Sequence, residues 1–155
     1  MSYALTTCIQ VLKNCANKEN TKSVVMKQLD EIYRSCTLDY FKSGAYRITL
    51  EDFLALKKED KAMMLDLRSQ EEAELIGLSF ALNIPIEELP DRLGELPKDK
   101  TIATFCASSV RAVMAFVYLK TAGFEDVKIV TDTLHELTAN FMPPFVANHY
   151  ETLKK

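Results

Sequence analysis

Tryptophan is missing from the 155 residues, histidine occurs only twice and glycine only four times. The four glycines stand far apart, so no glycine-rich loop could cradle a nucleotide's phosphates, and no Walker sequence is present. The four cysteines, Cys8, Cys15, Cys36 and Cys106, form no CxxC pair and have no histidine cluster beside them. Their spacing therefore excludes the common zinc patterns and a redox dithiol, and nothing asks for a metal or another cofactor. No run approaches the roughly eighteen consecutive apolar residues of a membrane-spanning helix. No basic region precedes an apolar run at the N-terminus, where Gln10, Lys13 and Asn14 break the hydrophobicity. A secretory signal is thus not expected, and a cytoplasmic setting with reduced thiols follows by default.

Charge of one sign is also scarce. The net charge is −3, with +2 over residues 1–45 and −5 over residues 46–155. So small an imbalance argues against nucleic acid bound through the overall field, and no partner of that kind, nor a membrane, is expected. What remains is the composition of a globular protein: 48% hydrophobic and 26% charged residues. The length fits one domain with a small appendage.

Two helical patterns open the chain. Leu5, Cys8, Ile9, Leu12 and Cys15 recur at helical spacing, and Val25, Leu29, Ile32 and Cys36 do so again after a polar stretch. The pattern predicts an N-terminal helical hairpin over residues 1–45, closed by the break at Ser43-Gly44. Its apolar faces must be covered by the rest of the chain, by a second copy in a homodimer, or by acting as a lid or partner surface.

From Tyr46 the pattern becomes strand, helix, strand, helix. Tyr46–Ile48, Ala62–Leu67, Ala81–Ile84, Thr101–Phe105 and Asp126–Val130 read as strands. Leu50–Leu56, Glu71–Leu75, Ile86–Leu93, Val110–Thr121 and Leu134–Ala139 read as helices. Near-continuous apolar strands in such an alternation predict a mainly parallel sheet with helices on both faces over residues 46–155. In sheets of this kind ligands bind beyond the carboxyl ends of the strands. Two polar features fall there: Asp66 with Arg68, and the loop that starts at Cys106.

Cys106 follows a buried strand and precedes a helix. The first N–H groups of a helix have no intrahelical partners and, with the helix dipole, favour negative charge on a thiol or a bound anion. Arg111 adds a full positive charge nearby. Cys106 is therefore the candidate nucleophile, and Ala107, Ser108, Ser109, Val110 and Arg111 are the candidate substrate-binding loop. His135 and His149 carry no comparable signal, and Glu71, Glu72 and Glu74 read as a solvated helix face.

Residues 46–142 resemble a rhodanese (sulfurtransferase) domain. The resemblance rests on Asp66-Leu67-Arg68, Asn83-Ile84-Pro85, the loop from Cys106 to Arg111, and Gly123-Phe124, in that order and at the family's intervals. It implies a three-layer α/β/α fold and sulfur transfer through a Cys106 persulfide. The donor would be a small sulfur-containing anion of thiosulfate or polysulfide type, and the acceptor a thiol, protein or cyanide. It further implies that the loop N–H groups hold the persulfide, that Arg111 orients the donor, and that Asp66 and Arg68 brace the loops. A plain ion pair at the strand end is the alternative reading of those two. Related phosphatases on this scaffold carry five residues between the cysteine and the arginine. Four stand here, which favours a sulfur atom over a phosphate ester. The chain departs from the family at Ser109, where glycine is usual, at Ala112, and in Ile76–Ala81, which lacks the usual histidine. A second reading follows from these departures: an interaction module with little or no turnover.

Overall fold

The computed structural model describes residues 23–139 and 141–154. The chain divides into two compact units, Met1–Thr37 and Leu38–Lys155. In the first, helix α1 covers residues 23–35. Its Leu29, Ile32 and the following Cys36 are half-buried, while Val25 remains 43% exposed. The Cys36 thiol donates to the Ile32 carbonyl at 3.3 Å. The helix expected over Leu5 to Cys15, and with it the hairpin and any homodimer contact through it, lies outside the described residues.

In the second unit, α2 (Leu38–Ser43) leads into β1 (Arg47–Ile48) and α3 (Leu50–Lys58). Strand β2 (Ala62–Asp66), helix α4 (Gln70–Leu75) and strand β3 (Ala81–Asn83) follow. Then come β4 (Thr101–Phe105), α5 (Val110–Thr121), β5 (Val127–Val130), α6 (Leu134–Ala139) and α7 (Pro143–Leu153). The five strands pair in parallel in the order β1-β5-β4-β2-β3.

Each boundary has a local cause. Thr49 caps α3 by accepting the Asp52 N–H, and the Asp132 carboxylate takes the Leu50 N–H at 2.8 Å. Ser69 and Glu72 cap α4 reciprocally: the Ser69 hydroxyl accepts from the Glu72 N–H, and the Glu72 carboxylate from the Ser69 N–H. Helix α5 ends at Gly123, whose φ of 83° is the left-handed turn glycine tolerates. There the Phe124 N–H reaches the Leu119 carbonyl and the Gly123 N–H the Lys120 carbonyl, which satisfies two of the helix's last acceptors.

Two apolar layers lie on opposite faces of the sheet. One gathers Phe53 and Leu54 of α3, Met64, Ala103, Phe105, Leu137 and Leu153. The other gathers Leu65, Ile102 and Cys106 with Ala112, Ala115, Phe116 and Leu119 of α5. The alternation along β4 explains the division: Ile102 and Cys106 face α5, while Ala103 and Phe105 face the other way. The expected three-layer α/β/α architecture and parallel sheet are present.

One expectation needs correction, and one element was not foreseen. Residues 86–91 are consecutive turns rather than a helix, followed by a 3₁₀ turn at Leu93–Glu95. Their backbone bonds, Glu88 N–H to Pro85 and Asp91 N–H to Glu88 among them, all span three residues. Pro90 removes a donor and disfavours helical geometry at the residue before it, which prevails over the apolar spacing. The tail from Pro143, to which the sequence pattern assigns no element, is an eleven-residue helix with proline in its first turn. Proline there gives up an N–H that has no helical partner anyway.

Candidate functional site

The carboxyl ends of β2 and β4 lie side by side, with Asp66 opposite Phe105. That register sets the two sequence motifs against each other. Asp66 and Arg68 form a fully buried pair, their side chains 2% and 1% exposed. The Arg68 Nε donates to both Asp66 oxygens at 2.9 and 3.0 Å, and Nη2 donates to Oδ2 at 2.6 Å. Nη2 also reaches the Ile76 carbonyl at 2.9 Å, which fixes the chain after α4. The guanidinium sits 5.6 Å from the centre of the Phe105 ring. The Leu67 N–H donates to the Phe105 carbonyl at 2.8 Å. Asn83 joins the set, its amide donating to the carbonyls of Asp66 and Arg68 at 3.0 and 2.9 Å. Asp66 and Arg68 are thus a buried ion pair and a brace at once, and what they brace is the residue before Cys106.

Cys106 forms the floor of the loop. It is 4% exposed and belongs to the α5-side layer, whereas Ala107, Ser108, Ser109 and Val110 above it are exposed. Its sulfur accepts the Ala112 N–H at 3.4 Å. One of the free first-turn N–H groups foreseen for the helix after Cys106, that of Ala112, is therefore directed at the thiol. Ser109 sits at φ 64°, ψ −18° as the residue before α5, with its hydroxyl making no capping bond. The loop keeps the left-handed turn that glycine would take without cost, and a serine supplies it under strain.

Arg111 does not stand free. Its Nη1 and Nη2 donate to the two Glu72 oxygens at 2.5 and 2.9 Å, a bidentate pair across 39 residues. The pair, with the Ser69 backbone N–H, holds the Glu72 carboxyl down at about 2, so it remains ionised at neutral pH. The Arg111 pKa is pushed up, chiefly by Glu72 and in smaller part by Cys106. Glu72 was read as part of a solvated face, and that reading is corrected: one carboxylate caps α4 and neutralises Arg111. The signal was legible as Ser69-x-x-Glu72, a capping box that turns the Glu72 side chain back toward the helix start. Glu71, Glu74 and His135 are exposed. Among the described residues, no cluster of His, Cys, Asp and Glu could hold a metal ion.

A parallel α/β sheet with a cysteine loop between its central strand and the next helix defines a class of protein. The rhodanese-like domain family has a sequence model that matches residues 49–140, and the chain belongs to that family. It is 36% identical over 100 residues to an HTH-type transcriptional regulator of Mycobacterium tuberculosis, covering 63% of this chain and 44% of that protein. It is 34% identical over 74 residues to a tRNA sulfurtransferase of Aeromonas hydrophila, covering 45% of this chain and 15% of that one. The chain therefore spans less than half the length of either relative. Among solved structures, a rhodanese-related protein of Thermoplasma volcanium superposes with a TM-score of 0.54 at 25% identity, covering 63% of this chain and 94% of its own.

Proposed function

We propose that the chain is a sulfurtransferase that carries sulfane sulfur on Cys106. The observation that supports this most directly is the placement of the Cys106 sulfur under the first turn of α5, where the Ala112 N–H already donates to it. In the first half-reaction the Cys106 thiolate attacks the outer sulfur of a donor. A new S–S bond forms at Cys106, the donor's own S–S bond breaks, and the leaving group departs with the electron pair. In the second, an acceptor thiolate attacks the outer sulfur of the Cys106 persulfide and returns Cys106 as a thiolate. The backbone N–H groups of residues 107–111 form the cradle for the terminal sulfur, and Asp66, Arg68 and Asn83 keep its floor rigid. A cytoplasmic setting, where thiols stay reduced, suits this chemistry.

A second reading has its own support. Cys106 is nearly buried and Arg111 is neutralised by Glu72, which suits an interaction module that no longer turns over. Intact-mass measurement after incubation with a sulfane-sulfur donor separates the two. One added sulfur, released by dithiothreitol and absent in Cys106→Ser, is the expected result. An unmodified wild-type chain with every donor class would establish the module instead.

A further inference from the structure

Apolar side chains exposed singly are ordinary, whereas contiguous ones with a charged rim mark a contact surface. The second arrangement occurs on α5. Val110, Met114 and Tyr118 recur every four residues along its outward face and are 62, 59 and 39% exposed. They form a ridge of about 12 Å, a little over two helical turns. The turns at residues 86–91 run beside it. Between them lies a groove of about 250 Å³, lined by Ile86, Leu89, Pro90, Met114, Ala115 and Tyr118. Small-molecule sites commonly enclose about 300–1,000 Å³ and converge polar groups on the ligand. This groove is smaller and has no charged side chain in its wall, so it suits the apolar side chains of a polypeptide.

The rim is acidic. Glu87, Glu88 and Asp91 are exposed on the turns. Arg92 beside them is held by Glu88 and Glu95. On α5, Arg111 is engaged with Glu72 and Cys106, and Lys120 donates to the Glu125 carbonyl. We propose that the groove docks a cationic amphipathic helix of a partner protein, with one apolar stripe flanked by Lys and Arg. A helix laid into such a groove sets its stripe on the α5 ridge, and its cations meet the carboxylates of the turns. Pairing the groove with its own copy across a two-fold axis would instead bring the same carboxylates face to face. An anionic lipid surface meets the same repulsion. The docking stands apart from sulfur transfer and needs no turnover at Cys106.

The test titrates the full chain with a helical peptide of leucine and lysine, about 14 residues long, its leucines on one stripe. The control replaces every lysine by glutamate. The methyl signals of Met114 and of Met142, which is 63% exposed on another element, are followed by NMR. The lysine peptide should shift Met114 and leave Met142 in place, bind at least tenfold more tightly than the control, and weaken with salt. Met114→Asp should weaken it about tenfold or more, although the change adds a charge that a cation favours. Glu87→Gln with Asp91→Asn should weaken it about threefold to tenfold at low salt. Should a variant fail to fold, the shifts in the native chain decide. Equal binding of the two peptides, a shift at Met142 in place of Met114, or undiminished binding by Met114→Asp would overturn the proposal. So would preference for vesicles of phosphatidylserine and phosphatidylcholine. A Met114 methyl already shielded from a soluble gadolinium chelate would also overturn it, in favour of a second copy if dilution exposes the methyl and of this chain's own residues if not.

Discussion

Ser109 and Glu72 are the two residues that give the Cys106 loop its particular character. Ser109 adopts φ 64° to turn the chain into α5, where an L-residue with a Cβ is at a disadvantage of about 1–2 kcal/mol. Glycine removes that strain but adds chain entropy to the unfolded state, about 0.5–1 kcal/mol. Ser109→Gly should therefore stabilise the fold by about 0.5–1 kcal/mol. Urea denaturation at constant m-value measures it, and a clear loss of stability would mean the serine makes a contact worth more than the strain. The strain was legible beforehand, because a serine standing where a positive φ is needed announces it. The Glu72–Arg111 pair was not. Its partners lie 39 residues apart on different elements, and no spacing rule links them. Only the capping box indicated where the Glu72 carboxylate points, and even that named Ser69 rather than Arg111.

At the scale of elements, the site depends on where β2 and β4 stop. Both strands were readable as short apolar runs, because a parallel strand covered on both faces needs apolar side chains in every register. The polar residues that terminate β2 are then bound to be paired, and Asp66–Arg68 is that pair. Removing one partner leaves a buried charge uncompensated, which costs about 3–5 kcal/mol. Asp66→Asn should lower stability by about 3 kcal/mol or more, while replacing Asp66 and Arg68 together by apolar residues should cost distinctly less. Chemical denaturation of the single and double variants checks this. A loss below about 1 kcal/mol for Asp66→Asn would show that the Ile76 carbonyl and the Phe105 ring hold the Arg68 guanidinium unaided. Sequence reading failed at the segment 86–93, where apolar spacing suggested a helix that Pro90 forbids. The segment that follows Pro143-Pro144 was assigned no element, although proline suits the first turn of the helix it forms.

For the whole molecule, the position of the buried residues sets what can fold. Every buried apolar side chain among the described residues falls between Ile48 and Leu153, in two layers on the two faces of one sheet. The compact unit that contains them begins at Leu38, earlier than the change of sequence pattern at Tyr46. A reason for the earlier start lies in α2. Tyr40, Phe41 and Tyr46 form a cluster of three rings with centroids 5.5 to 5.7 Å apart, tying α2 to the entrance of β1. Aromatic pairs of this kind add about 0.5–1.5 kcal/mol each beyond the area they bury. Helical spacing in residues 25–36 and the break at Ser43-Gly44 led the sequence to assign α2 to the N-terminal segment, because ring contacts across a turn leave no periodic trace. A chain beginning at Leu38 should therefore unfold in one cooperative urea transition. A chain beginning at Ser43, which keeps Tyr46 but loses Tyr40 and Phe41, should be less stable by about 1–3 kcal/mol. Equal midpoints for the two would show the ring cluster to be a surface ornament of the fold. Absence of a cooperative transition from the Leu38 chain would show that the residues before it are needed to complete the core.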